Sequence, residues 1–134
     1  DDAGDRLDRL SIDRGDDPAV ESLRGQWLLL EGNPSEAVPH LERAQRMSED
    51  DPGLSFALGT ASLASGRDAQ AREAFERTVA LDPRYYDGWL RLGLVCARLG
   101  DAPARDRALE RAAALPESRD GRAEAMKREF SLPR

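Results

Sequence analysis

Glycine recurs along this chain at a fixed interval. Gly25, Gly59 and Gly93 stand 34 residues apart, and Gly32, Gly66 and Gly100 repeat the same step. Leu41, Phe75 and Leu109 keep the period, as do Ala44, Thr78 and Ala112. Agreement of these series in one register predicts a stack of like units in place of one unsymmetric core. Within a unit the apolar residues are three or four apart, which is helical spacing, and a glycine about midway stops one helix before the next begins. Each unit is therefore a helical hairpin, and the fold class is all-α.

The expected first helices run near Pro18–Glu31, Pro52–Ser65 and Tyr86–Leu99, and the second near Ser35–Met47, Asp68–Leu81 and Pro103–Leu115. Asp17-Pro18 and Asp51-Pro52 each supply a capping oxygen and then a ring that suits the first helical position, where no N–H bond is lost. Pro103 opens its helix in the same way, whereas Pro39 falls about four residues into one and should remove a backbone bond or kink that turn. Gly32, Gly66 and Gly100 belong where the chain leaves a helix in a left-handed conformation. Gly25, Gly59 and Gly93 lie mid-helix, where glycine costs about 1 kcal/mol relative to alanine, so the partner helix should lie directly against them.

Composition agrees with helix-on-helix packing. Apolar residues make up 40% and charged residues 34%, but Phe, Trp and Tyr only 5%, so Ala, Leu and Val must build the core. The longest apolar runs, such as Trp27-Leu28-Leu29-Leu30, are far short of the roughly 20 residues that span a bilayer. Direct membrane insertion is not expected. The net charge of −6 repels a polyphosphate at long range, which argues against nucleic acid as partner and against RNA-binding helical repeats of similar period. Cys96 is the single cysteine; it slightly favours a reducing, cytoplasmic setting and leaves a periplasmic one open. The chain starts at Asp1 with no initiator Met or leader, which reads as a processed protein or an excised segment, with any targeting sequence upstream.

The sequence resembles the tetratricopeptide repeat (TPR) family. Trp89-x-x-Leu92-Gly93 reproduces the opening of that family's pattern, and Leu58-Gly59, Gly66, Ala71, Phe75 and Leu81-Asp82-Pro83 reproduce most of it one unit earlier. The match covers roughly 18–116. Departures are Arg105 where a small residue is expected, Cys96 in a slot usually aromatic, Glu49 in place of a closing proline, and Glu21 and Arg24 in slots normally apolar. The expected organisation is a tail or partial capping helix over 1–17, TPR-like units at 18–51, 52–85 and 86–116, and a capping helix and tail over 117–134. In that C-terminal segment Ala123, Met126 and Phe130 form one stripe suited to covering the last hairpin.

The resemblance implies an α-solenoid of antiparallel hairpins wound as a right-handed superhelix, with the first helices lining a concave groove. Such a surface suits an extended peptide or a helix, since the scaffold is ordered before binding. It also implies the groove residues: Ser22, Gln26 and Leu29; Phe56, Thr60 and Leu63; Leu90, Leu94 and Ala97; with Arg91 and Arg98 at the margin. The Lys/Asn/Arg set with which some members grip a C-terminal carboxylate is replaced by Phe56, Thr60, Leu90 and Leu94. The expected function is a noncatalytic protein-protein interaction scaffold whose groove takes apolar anchors from a protein or peptide, with Arg91 and Arg98 facing an acidic flank. The alternatives are a self-associating structural module, hence a homo-oligomer, and a regulatory or targeting segment of a larger protein.

Other residue patterns carry less. His40, the lone histidine, follows Glu36 by four residues and is expected to face solvent, since one histidine without a neighbouring His or Cys does not build a zinc site. Cys96 fills a packing slot and Trp89 a core one, while of Tyr85 and Tyr86 one ring is expected to reach the groove and the other to pack. Asp13-Arg14-Gly15-Asp16-Asp17 holds too few ligands for a calcium loop. No nucleophile elbow, zinc-binding pair or phosphate-cradling glycine loop is present, so no catalytic, cofactor or metal residue is assigned.

Overall fold

The computed structural model describes residues 17–131, and within them every regular element is helical. In chain order these are α1 (Pro18–Leu30), α2 (Pro34–Met47), α3 (Pro52–Ala64), α4 (Asp68–Leu81), α5 (Tyr86–Arg98) and α6 (Ala102–Ala113). A short 3₁₀ turn, Pro116–Asp120, then leads into α7 (Arg122–Ser131). Short turns join α1 to α2, α3 to α4 and α5 to α6, so each pair packs antiparallel. Each second helix also packs on the first helix of the following pair, α2 on α3 and α4 on α5. The result is a short α-solenoid. The expectations on residues 1–16, including the capping helix and the Asp13-Arg14-Gly15-Asp16 stretch, lie outside the described residues.

Local chemistry accounts for the boundaries. The Asp17 carboxylate accepts from the Ala19 N–H at 2.9 Å, Asp51 from Gly53 at 2.9 Å, and Asp101 from Ala104 at 3.1 Å, so each satisfies an otherwise orphaned donor. Between the paired helices Gly66 has φ +79°, a conformation that costs any side-chain-bearing residue strain. α2 runs through Pro39, which has no N–H to give to the Ser35 carbonyl, without ending there.

The mid-helix glycines mark close approach. A Cβ on Gly59 would lie 2.6 Å from the Phe75 ring, and one on Gly25 or Gly93 2.6 or 2.7 Å from Leu41 or Leu109. Glycine therefore serves as a socket, and the partner's large side chain fills it. Phe75, Leu41 and Leu109 are almost entirely buried as a consequence. The core follows the stacking. Leu28, Ala37, Val38 and Leu41 meet Leu58 and Ala61 of the following hairpin, and Ala71, Phe75 and Val79 meet Leu92, Val95 and Cys96 of the one after it. Burial raises the Cys96 thiol above its ordinary value, which suits a packing role.

His40 departs from expectation. It does not face solvent: its Nδ1 lies 2.8 Å from an oxygen of Glu21, whose own side chain is buried between α1 and α2. Arg43 approaches the same carboxylate at 3.5 Å. Burial pushes the Glu21 carboxyl up, but the His40 hydrogen bond and the charges of Arg43, His40 and Arg24 outweigh it, and the net shift is downward. The first hairpin thus fills an ordinarily apolar slot with a carboxylate whose partners come from the neighbouring helix.

The C-terminal helix lies where the Ala123-Met126-Phe130 stripe places it. Ala123 is fully buried against Tyr86, Leu90, Leu109 and Ala112, with Met126 and Phe130 beside it. Arg105 is 5.3 Å from the centre of the Phe130 ring, so the arginine in a normally small slot stacks on the capping helix. The Tyr86 hydroxyl donates to Asp120 at 2.6 Å, and Arg122 bonds Asp120 at 2.7 Å and Asp87 at 2.9 Å. The Tyr86 hydroxyl, then the backbone N–H and guanidinium of Arg122, hold the Asp120 carboxyl down from 3.8 to about 2, against burial. A depressed folded value means that this contribution is complete above the unfolded pKa and is lost as pH falls through the folded one. Thermal melts should therefore lose stability between pH 3.8 and about 2, with a shallower slope in Asp120→Asn. An unchanged slope in the variant would show that this carboxylate does not couple α7 to the stack.

Candidate functional site

The expected groove residues fall at i, i+4 and i+7 on α1, α3 and α5, one stripe of each first helix. Their settings differ. On α1, Ser22 is half-buried and accepts a hydrogen bond from the exposed Gln26 at 3.0 Å, while Leu29 packs at the edge of the first core cluster. On α3, Phe56 is half-buried, with its ring stacked on Tyr85 at 5.1 Å between centres and 29° between planes. It also tilts against Phe75 at 5.6 Å. The Thr60 hydroxyl donates to the Phe56 carbonyl at 2.9 Å, so its polarity is satisfied locally and its methyl is left as the outward group. Leu63 is half-buried beside the second core cluster.

α5 carries the largest difference. Leu90 is 4% exposed, in one cluster with Tyr86, Leu109, Ala112 and Ala123. It is a core residue, because α7 packs over the last hairpin and closes the face at that end. Leu94 and Ala97 remain half-buried. Arg91 is exposed, whereas Arg98, also exposed, bonds Asp68 at 3.2 Å and ties α5 to α4.

The structure brings Phe56 and Tyr85 together across the junction of the second and third hairpins. Tyr86 is the tyrosine that packs, beneath α7, while Tyr85 lies on this junction against Phe56. Sequence periodicity missed the stack because Tyr85 sits in the turn before α5, outside the first-helix stripe. Burial, then the charges of Asp87, Asp51 and Asp82, raise the Tyr85 phenol above its ordinary value, so the net field at this hydroxyl is negative. Trp89 donates its indole N–H to the Pro83 carbonyl at 2.7 Å and holds the same turn in place.

Among the described residues no group of three or more His, Cys, Asp or Glu side chains is arranged to hold a metal ion, and no helix is long and apolar enough to cross a membrane. What the face offers is shape: fixed helices, half-buried apolar groups and a stacked aromatic pair.

The tetratricopeptide repeat profile matches residues 28–88. No curated protein sequence matches the chain. Among solved structures, a crystal structure of MamA is 20% identical with a TM-score of 0.80, over 84% of this chain and 66% of that one. MamA from residue 41 to its end, from Desulfovibrio magneticus RS-1, is 23% identical with a TM-score of 0.77, over 85% and 64%. YrrB, a TPR protein with an unusual peptide-binding site, is 22% identical with a TM-score of 0.76, over 83% and 57%. The chain thus spans less than two thirds of the length of these structures, and the likeness concerns the fold. Residues 28–88 thus match the tetratricopeptide repeat, and the chain shares the fold of these solved structures.

Proposed function

We propose that the chain is a noncatalytic interaction scaffold, with units at 18–51, 52–85 and 86–116, that binds a peptide or helix of another protein along the face of α1, α3 and α5. The observation that carries this reading is the Phe56–Tyr85 stack, flanked by half-buried Leu63 and Leu94 on a face whose helices are already ordered. Rigid half-exposed aromatic and aliphatic groups contribute most to peptide binding, because little conformational entropy is lost on contact. The peptide-binding site of YrrB, a protein of like fold, is consistent with such use. The ligand has an apolar anchor for the Phe56–Tyr85–Leu94 region. A basic residue suits the Asp51, Asp82 and Asp87 side, and an acidic one suits Arg91; Arg98 contributes only by exchanging Asp68 for the ligand.

Selection from a random peptide library displayed on phage tests this. Leu94→Asp and Thr60→Arg place a charge or bulk on the face while leaving the core clusters whole. Each should abolish capture of the selected peptides, with helicity and melting temperature close to those of the parent. Equal capture by parent and both variants would show that the peptides bind elsewhere.

A further inference from the structure

We infer that the cleft between α2 and α4 binds a small zwitterion of the amino-acid or dipeptide class, on the side of the stack away from the peptide face. The cleft arises because α2 and α4 both pack on α3 while barely meeting each other. Leu58 and Ala74, 7% and 5% exposed, form its floor. Its volume of about 240 Å³ is below the roughly 300–1,000 Å³ of pockets for drug-sized ligands. Leu58 stands two residues from Phe56 and from Thr60, hence on the opposite side of α3 from the groove stripe. Two bridges fix the walls: the Gln70 amide donates to Glu42 at 3.2 Å, and Arg77 donates to the Glu49 carbonyl at 2.7 Å. Each joins residues 28 apart, so the two walls run parallel and in register between the bridges.

In that register Glu73 of α4 and Arg46 of α2 stand across the cleft from one another, one residue out of step. Neither makes a hydrogen bond or ion pair among the described residues. A zwitterion supplies both partners, its carboxylate to Arg46 and its ammonium to Glu73. The flanking charges agree in sign. On each wall an acid comes one turn before an arginine, Glu42 before Arg46 and Glu73 before Arg77, so the cleft is negative toward one end and positive toward the other. Gln45 donates to the fully buried Ser55 hydroxyl at 2.6 Å, and Gln70 is held by Glu42. Each amide keeps a carbonyl that can accept from a ligand N–H. The next junction, where α4 and α6 pack on α5, shows that stacking does not require this set. There, 34 residues on, Gln45, Arg46, Gln70 and Glu73 become Val79, Ala80, Ala104 and Arg107. Two amides and an opposed pair of charges are thus a property of one cleft, not of the repeat.

Amide chemical shifts of the full chain, titrated at neutral pH with free leucine and with the dipeptide Leu-Ala, test the inference. At least one of the two should move amides of residues 42–46 and 70–77 and saturate on the order of millimolar, as expected of solvent-screened charges. The tighter of the two assigns the site to amino acids or to dipeptides. Acetylating the amine or amidating the carboxylate should weaken binding by about fivefold, the upper end for one exposed ion pair. Arg46→Gln and Glu73→Gln should each do the same with an unchanged melting temperature, since both side chains are exposed and unpaired. No saturable shift up to about 20 mM, well above a millimolar dissociation constant, would overturn the inference. So would equal binding of the blocked ligands, or equal binding by both variants. Loss of phage-peptide capture in these variants without zwitterion binding would also overturn it and give the cleft to a protein partner. Leu94→Asp should leave zwitterion binding unchanged, so failure here is separate from failure of the groove reading.

Discussion

Phe75→Ala should destabilise the fold by about 3–5 kcal/mol, the range for removing a fully buried aromatic side chain without refilling the space. Phe75 has 0% exposure and makes three kinds of contact at once. It fills the socket left by Gly59, it packs with Ala71, Val79, Leu92, Val95 and Cys96, and it supports the inner side of the Phe56 ring at 5.6 Å. A domain of this size has only about 5–15 kcal/mol to lose, so the variant should unfold at a much lower urea midpoint. The double variant Gly59→Ala/Phe75→Ala tests the socket directly. A methyl at position 59 clashes with the ring in the parent but fills part of the hole once the ring is gone, so the second change should recover stability. Additive losses would mean that the glycine is retained for another reason.

That pairing was legible in the sequence because both residues belong to series with the same period. Regular spacing also conveyed the helix bounds, the Asp caps and the turn glycines, all of which depend on neighbours a few residues away. What it did not convey depends on contacts between units that break the repeat. His40 read as a surface residue because nothing near it in sequence requires it; its partner Glu21 is on the preceding helix. The polar residue in an apolar slot at position 21 was the signal that some basic group had to face it. Leu90 was read from its place in the stripe, where Ser22 and Phe56 are half-open. The stripe Ala123-Met126-Phe130 already required an apolar surface to cover, and the last first helix supplies part of it. The two readings claimed one face, and burial decided between them.

Leu90→Asp consequently separates packing from binding. Were Leu90 a groove residue, the change would abolish ligand capture and leave stability intact. At 4% exposure, surrounded by Tyr86, Leu109, Ala112 and Ala123, an ionised carboxylate has no cation designed to receive it and costs several kcal/mol. We expect loss of the α7 contact first, seen as exchange of its amides, and a urea midpoint far below that of Leu94→Asp. Protonation removes part of the cost. The folded pKa of the new group is raised above its unfolded value near 3.9, so the deficit should be greatest at neutral pH and shrink as pH falls through that raised value. Leu90→Met, which conserves volume, should cost less than about 1.5 kcal/mol and show no such pH dependence. A stable, α7-docked Leu90→Asp protein at neutral pH would return Leu90 to the groove.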